Sequence, residues 1–319
     1  MIRFMKGGIS VSVRENKTSR LKNIGVLKKF WSHFGEDYLF MFPYLLIFFT
    51  FVLLPVLISV VLSFTRFDVV QSPSFIGIKN YLRLFIDDSL FPLALKNTLL
   101  LALVTGPVGF FLSLLVAWLL NELGNRTRSI LTLFFYAPVI SGGAFAIWQI
   151  IYSGDTYGLL NGILINLGLI YKPIQWLTDS AYMMGSAIAV LIWMSFGSGF
   201  LSFIAGFKNV DAKLYEAAAI DGVKNRFQEM WYITLPSMKP QLMFGAVMSI
   251  TSSFGTGTII SAIYGFPSTN YAVYTLVHLL EDYGNVRYEM GYASAIATVL
   301  FVIMLGSNII VQKLLSDKN

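Results

Sequence analysis

Six long apolar runs, near residues 38–64, 93–120, 130–152, 183–207, 240–264 and 290–311, leave few folds open to this sequence. Each meets or exceeds the roughly 20 residues that carry a helix across a ~30 Å hydrocarbon layer. Backbone N–H and C=O groups find no water there, so each run is predicted to bond internally as a helix. Strands of a membrane barrel would instead alternate apolar and polar residues over about ten positions, and no such segments occur. Only 13% of the 319 residues are charged, against about 25% in a soluble domain. That is too few to cover a globule in water. The expected fold class is therefore an all-α membrane protein with six transmembrane helices.

The first run is expected to remain in the mature chain. Its apolar stretch is too long for a signal peptide, no small-x-small cleavage site follows, and residues 1–37 form a basic leader. Lys and Arg gather in that leader, in the second and fourth loops and in the tail. They number about 17 on that side against 6 on the other. The positive-inside rule then predicts both termini of a multi-pass membrane protein in the cytoplasm. Two segments are expected: a cytoplasmic leader over 1–37 and a membrane domain over 38–319.

Several chemistries are poorly served. The net charge of +6 is spread through the gaps between runs, not along a stripe that would suit nucleic acid. There is no cysteine, and His33 and His278 lack ligand-spaced companions, so no metal or cofactor is expected on this chain. The acidic pairs Asp87-Asp88 and Glu281-Asp282 lack the clustered groups of an acid–base site. No phosphate-cradling Gly-rich loop ending in Gly-Lys-Ser/Thr is present. No ionisable residue lies deep in a run, which argues against proton or sodium coupling. A secondary transporter or channel for a small polar solute remains the alternative reading.

The fourth loop, 208–239, is unusual. Asp211 is placed to cap a short helix over 212–220, and Gly222 to end it. A second short helix, 225–232, leads to Pro236 and Pro240. Three successive alanines, Ala217 to Ala219, make a helix of little bulk, while Tyr215, Phe227, Met230 and Trp231 are apolar for a solvated loop. Such an elbow suits either docking into another protein's groove or lying along the membrane face.

Glu216-Ala217-Ala218, preceded by Tyr215 and followed by Asp221-Gly222 and Ile233-Thr234-Leu235-Pro236, resembles the EAA loop of binding-protein-dependent ABC importer permeases. The gap from Gly222 to Ile233 is one residue longer than that pattern, and Val210-Asp211 stands where Ile-Pro is usual. Gly77-Ile78-Lys79-Asn80-Tyr81, Lys96-Asn97-Thr98 and Gln175-Trp176-Leu177 are similar to the sugar branch, the maltose and glycerol-phosphate permeases. The resemblance implies a type I importer permease that forms half of a sugar or oligosaccharide pathway. It implies a second homologous permease, two ATP-binding cassette subunits carrying ATP and Mg, and an extracytoplasmic solute-binding protein. Tyr215, Glu216, Ala217, Ala218, Asp221, Gly222, Ile233, Leu235 and Pro236 would form the coupling loop.

A neutral sugar needs ring faces to stack on and hydroxyl or amide partners. Tyr136, Trp148, Gln149, Trp193, Ser195, Ser252 and Thr256 are the candidates for its path. The stripe Gly245, Ser249, Ser253 and Gly257, spaced by four, reads instead as a helix-packing face.

Overall fold

The structure is a computed structural model and describes residues 40–315. The basic leader over 1–37 lies outside the described residues. The chain divides into two units after Ile58. The described part of the first belongs to helix α1 (Phe40–Leu62). Within α1 the hydrogen-bond ladder widens to a π turn over Phe49–Leu53. It does so just ahead of Pro55, which has no N–H to continue a regular ladder.

The second unit runs from Ser59. It opens with a small antiparallel pair, β1 (Thr65–Arg66) and β2 (Ser74–Phe75), in the register Thr65↔Phe75. A short helix α2 (Lys79–Leu82) then precedes the long α3 (Phe91–Asn121). After these come α4 (Asn125–Ile140), α5 (Phe145–Ile151), α6 (Leu159–Asn166), α7 (Ser180–Trp193) and α8 (Ser198–Asn209). The elbow holds α9 (Ala212–Ile220) and α10 (Arg226–Glu229). The rest comprises α11 (Lys239–Phe254), α12 (Gly257–Tyr264), α13 (Leu276–Glu281) and α14 (Met290–Leu315).

Among the described residues four helical stretches are long and apolar enough to cross a membrane: Phe40–Leu62, Phe91–Asn121, Ser180–Asn209 and Met290–Leu315. Two bent pairs raise the number to six if each counts as one span. The span expected over 130–152 is sharply bent: α4 and α5 meet at 88°. The break falls on Ser141-Gly142-Gly143, a run with little helix propensity, where Gly142 adopts φ +61°. The span expected over 240–264 is bent by 43° between α11 and α12. That expected over 183–207 is interrupted between α7 and α8, at Met194–Gly197. Broken helices at membrane depth are tolerated where other protein or a polar cavity meets the freed backbone groups.

Helices α3, α8 and α11 pack closely on one another. At one crossing a Cβ added to Gly245 would lie 2.2 Å from the Phe203 ring, and one added to Gly199 would lie 3.2 Å from the Gly245 Cα. Only residues without side chains allow so near an approach, which in lipid stands in for the missing hydrophobic drive. Toward the elbow, Phe196, Phe200, Phe203 and Phe207 bury against Ala117, Leu120 and Met238. At the opposite end of α3, Leu84, Phe91 and Ala94 pack with Tyr274, Leu279, Tyr283 and Tyr292.

Loop geometry there is fixed by polar bonds. Asn97 donates to the carbonyls of Tyr271, Ala272 and Tyr274, the last at 2.9 Å. Arg83 pairs with Glu289 and lies over the Tyr292 ring, 4.2 Å from its centre. Asp88 accepts from Leu90 N, Phe91 N and the Tyr292 hydroxyl, so this acidic residue holds the start of α3.

His278 packs with the rings of Phe266 and Tyr274, 5.8 and 5.5 Å between centres, and is 2% exposed. Its Nδ1 accepts from Thr275 N at 3.0 Å, closing a capping box at the start of α13. Burial pushes its pKa down to about 4 from the ordinary 6.5. The folded state thus holds it neutral, while the unfolded chain takes up a proton below 6.5. Stability from this site is complete above that value and falls with pH through the window from 6.5 to 4. The loss at the bottom of the window is about 3 kcal/mol. Thermal unfolding of the detergent-solubilised chain should show this fall, and His278→Gln should flatten it.

Candidate functional site

The elbow forms as its sequence dictates. The Asp211 carboxylate accepts from Lys213 N at 3.0 Å and caps α9. At the other end Gly222 takes φ +92°. Val223 N then reaches Ala218 O at 3.0 Å and Gly222 N reaches Ala219 O at 3.4 Å, the paired bonds of a Schellman stop. Asn225 caps the second helix through Gln228 N at 2.9 Å, and the Gln228 side chain reaches back to Lys224 N at 2.8 Å. That helix runs further than expected. It passes through a π turn at Met230–Thr234 into Leu235–Ser237, since Pro236 falls in the first turn of the last segment, where no N–H is required.

The two arms of the elbow are pinned together from inside. Thr234 Oγ1 donates to Glu229 O, which leaves the Tyr215 hydroxyl to donate to Thr234 Oγ1 at 2.9 Å. Ala218 and Ile233 are buried beside this bond. Glu216, Ala217, Asp221 and Gly222 face outward, with Leu214 and Ile220 beside them; Leu235 is half-buried and Pro236 exposed. The candidate coupling residues therefore divide into an inner hinge and an outer face. A second tie joins the elbow to the end of α3. Arg226 bridges Glu229 at 2.8 Å and Glu122 at 3.5 Å, and the Phe227 ring lies 5.3 Å from that of Trp118.

A small cavity of about 60 Å³ lies where α3 passes the two helix breaks. Six hydroxyls line it: Thr105, Ser195, Ser249, Ser252, Ser253 and Thr256, with Leu191, Met194 and Ile259 as apolar wall. No charged residue takes part. Thr105 sits two residues before Pro107, within α3. Ser195 belongs to the interruption between α7 and α8, and Thr256 to the α11–α12 bend. Thr105, Ser252 and Ser253 donate to carbonyls of their own helices at 2.8–3.0 Å, which leaves their oxygens as acceptors. Ser195 Oγ is buried and lacks a partner among the described residues.

Of the seven path candidates the structure unites Ser195, Ser252 and Thr256. Trp148 and Trp193 meet each other at 5.6 Å between ring centres, and Trp148 also meets Tyr152 at 5.1 Å, as part of an aromatic cluster. Gln149 donates to Ala262 O at 2.7 Å and braces α5 against α12. Tyr136 lies elsewhere, in a cleft between α4 and α8. The 88° break adds to the separation, because residues 136 and 149 lie on different helices, α4 and α5. Thr105, Ser249 and Ser253 escaped the sequence reading. The stripe of small residues does pack at Gly245 and Gly257, but its two serines also face the cavity. Thr105 had a signal in the Gly106-Pro107 that follows it in a membrane run.

Comparison with known proteins bears on this geometry. Residues 37–317 match the family of binding-protein-dependent transport system inner membrane components. A probable ABC transporter permease protein of Bacillus subtilis (strain 168), YesP, is 36% identical over 273 residues, 84% of this chain and 86% of its own. The arabinooligosaccharides transport system permease protein AraP of the same organism is 32% identical over 298 residues, 93% of each chain. Among solved structures, a chain of a bacterial ABC transporter involved in the import of the acidic polysaccharide alginate superimposes with TM-score 0.71. It is 25% identical, over 90% of this chain and 98% of that one. The fold is that of an ABC importer permease, and a secondary carrier or channel no longer fits. The chain belongs to the family of binding-protein-dependent transport system inner membrane components, and is a multi-pass transport subunit.

Proposed function

We propose that the chain forms half of the translocation path for a neutral sugar or oligosaccharide. The observation that carries this reading is the uncharged cavity of six hydroxyls at the meeting of three irregular helices. Hydroxyls without charge suit a cargo that is itself a set of hydroxyls. The curated relative AraP, which takes its name from arabinooligosaccharides, supports the same cargo class. At about 60 Å³ the cavity is far below the 300–1,000 Å³ of a ligand pocket. It is accordingly one wall of the path, with a second permease supplying the other.

The distribution of Lys and Arg supports a cytoplasmic elbow and cytoplasmic termini. The outer face of α9, with Glu216 and Ala217 between Leu214 and Ile220, would seat in a cleft of an ATP-binding cassette subunit. ATP and Mg belong to two such partner subunits, since this chain has no phosphate-cradling loop. Cargo would arrive on an extracytoplasmic binding protein. In the reconstituted complex, a neutral oligosaccharide with its binding protein should stimulate ATP hydrolysis. Joint Ser252→Leu and Thr256→Val substitution should lower cargo uptake about fivefold, by removing about 1 kcal/mol of hydrogen bonding, while the complex still assembles. Stimulation by charged solutes alone would overturn the cargo class.

A further inference from the structure

Tyr136 lines a cleft of about 390 Å³ between α4 and α8 that the transport path does not use. The cleft lies at the elbow end of both helices: Asn125 begins α4, and Lys208 is in the last turn of α8. Its charged lining residues are Arg128 and Lys208, with no carboxylate among them. Arg128 donates from Nε to Leu120 O at 3.2 Å, and from one terminal nitrogen to Asn121 O at 2.7 Å and Leu123 O at 3.0 Å. These acceptors are carbonyls, so its charge stays uncancelled. Its other terminal nitrogen makes no bond among the described residues. Lys208 is exposed. Thr132, which lines the same cleft, has its Oγ1 buried and unpartnered among the described residues.

Asn125, Ser129 and Tyr136 add uncharged polar groups to the lining, and the rest of it is apolar. Ile204 and Leu133 line it, and Leu133 continues into an α4 face where Ile130 and Phe134 are 68% and 72% exposed. Two uncancelled cations and an orphaned hydroxyl suit an anion with several acceptor oxygens. The apolar strip leading away from them suits acyl chains. We propose that this cleft binds the phosphodiester headgroup of an anionic phospholipid, with its chains along α4. Basic pockets between membrane helices are the form such recognition takes. The proposal needs membrane insertion only, not the cargo reading above.

The test is native mass spectrometry of the full chain released from micelles doped with phosphatidylglycerol or phosphatidylcholine, with glycerol phosphate as the soluble arm. Phosphatidylglycerol should be retained and the other two should be lost. Lys208→Gln should lower retention about fivefold and Lys208→Glu about thirtyfold, from roughly 1 kcal/mol per charge. Lys208→Arg should restore it, and Lys172→Gln, outside the cleft, should leave it unchanged. Thr132→Val, alike in shape but without the hydroxyl, should weaken it severalfold. Equal retention of phosphatidylcholine would overturn the proposal, as would indifference to Lys208→Glu. Glycerol phosphate binding as firmly as the lipid would mark a free-phosphate site instead.

Discussion

Replacing Gly222 by valine should lower ligand-stimulated ATP hydrolysis of the assembled complex about tenfold while leaving the membrane helices folded. Nothing lies within 4 Å of the position a Cβ would take there, so the effect comes from the backbone and not from a clash. At φ +92° a side chain meets its own carbonyl, and a β-branched one does so in every rotamer. The strain of about 1–2 kcal/mol is comparable to the energy of the two bonds that close α9, and Val223 N–Ala218 O would be the first to open. A cost of that size reduces the population of a docking-competent elbow by about an order of magnitude. Gly222→Asn should be mild, because asparagine tolerates the left-handed region. Turnover of the valine variant equal to wild type, with assembly intact, would remove the hinge role from Gly222.

The elbow was legible in the sequence because its determinants are local. Asp211, Gly222 and Asn225 act on backbone groups two to five residues away, so a short window contains the whole argument. The same holds for long apolar runs such as 93–120, where length against bilayer thickness settles the element. Legibility fails where a short break such as Ser141-Gly142-Gly143 hides inside an apolar run. The break between α4 and α5 puts Tyr136 and Gln149 on separate helices, and hydropathy does not register an 88° bend inside one apolar run.

The cavity was half visible for a related reason. Ser195 and Thr256 stood out as polar residues in apolar surroundings, but Ser249 and Ser253 carried a spacing that packing explains equally well. Both uses are compatible in one stripe, which runs from α11 into the start of α12. Its glycines meet Phe203 and Val277, and its serines, on the turns between, reach the cavity. Only the placement of Thr105 from α3 distinguishes a packed seam from a polar opening, and that placement rests on a helix more than 140 positions away in the chain. Ser195, Ser252 and Thr256 could be read because no packing pattern claimed them, whereas Ser249 and Ser253 were claimed by one and Thr105 lies on a distant helix.

Asn161→Leu should destabilise the chain more than a substitution at any other position considered, although no local sequence feature singles the residue out. Asn161 is fully buried. Its Nδ2 donates to Ser153 O, Asp155 O and Ile174 O at 3.0–3.1 Å. Its Oδ1 accepts from Ile174 N at 3.1 Å and from the Trp176 indole at 2.9 Å. One side chain thus satisfies the loop before α6 and the loop after it. Leucine matches the volume but strands two donors and three acceptors, at about 1–3 kcal/mol for each group that water cannot reach. Partial relaxation toward solvent brings the expected loss to about 4 kcal/mol. The released Trp176 also stacks on Tyr152, 6.0 Å between ring centres, so the aromatic cluster around Trp148 should loosen with it. Thermal unfolding in detergent should fall by roughly 6 °C, with a red shift in tryptophan emission. Asn161→Asp should be at least as costly, because it would set a carboxyl oxygen against three carbonyls in a buried site. A melting temperature within a degree of wild type would mean that the two loops are held by something other than this amide.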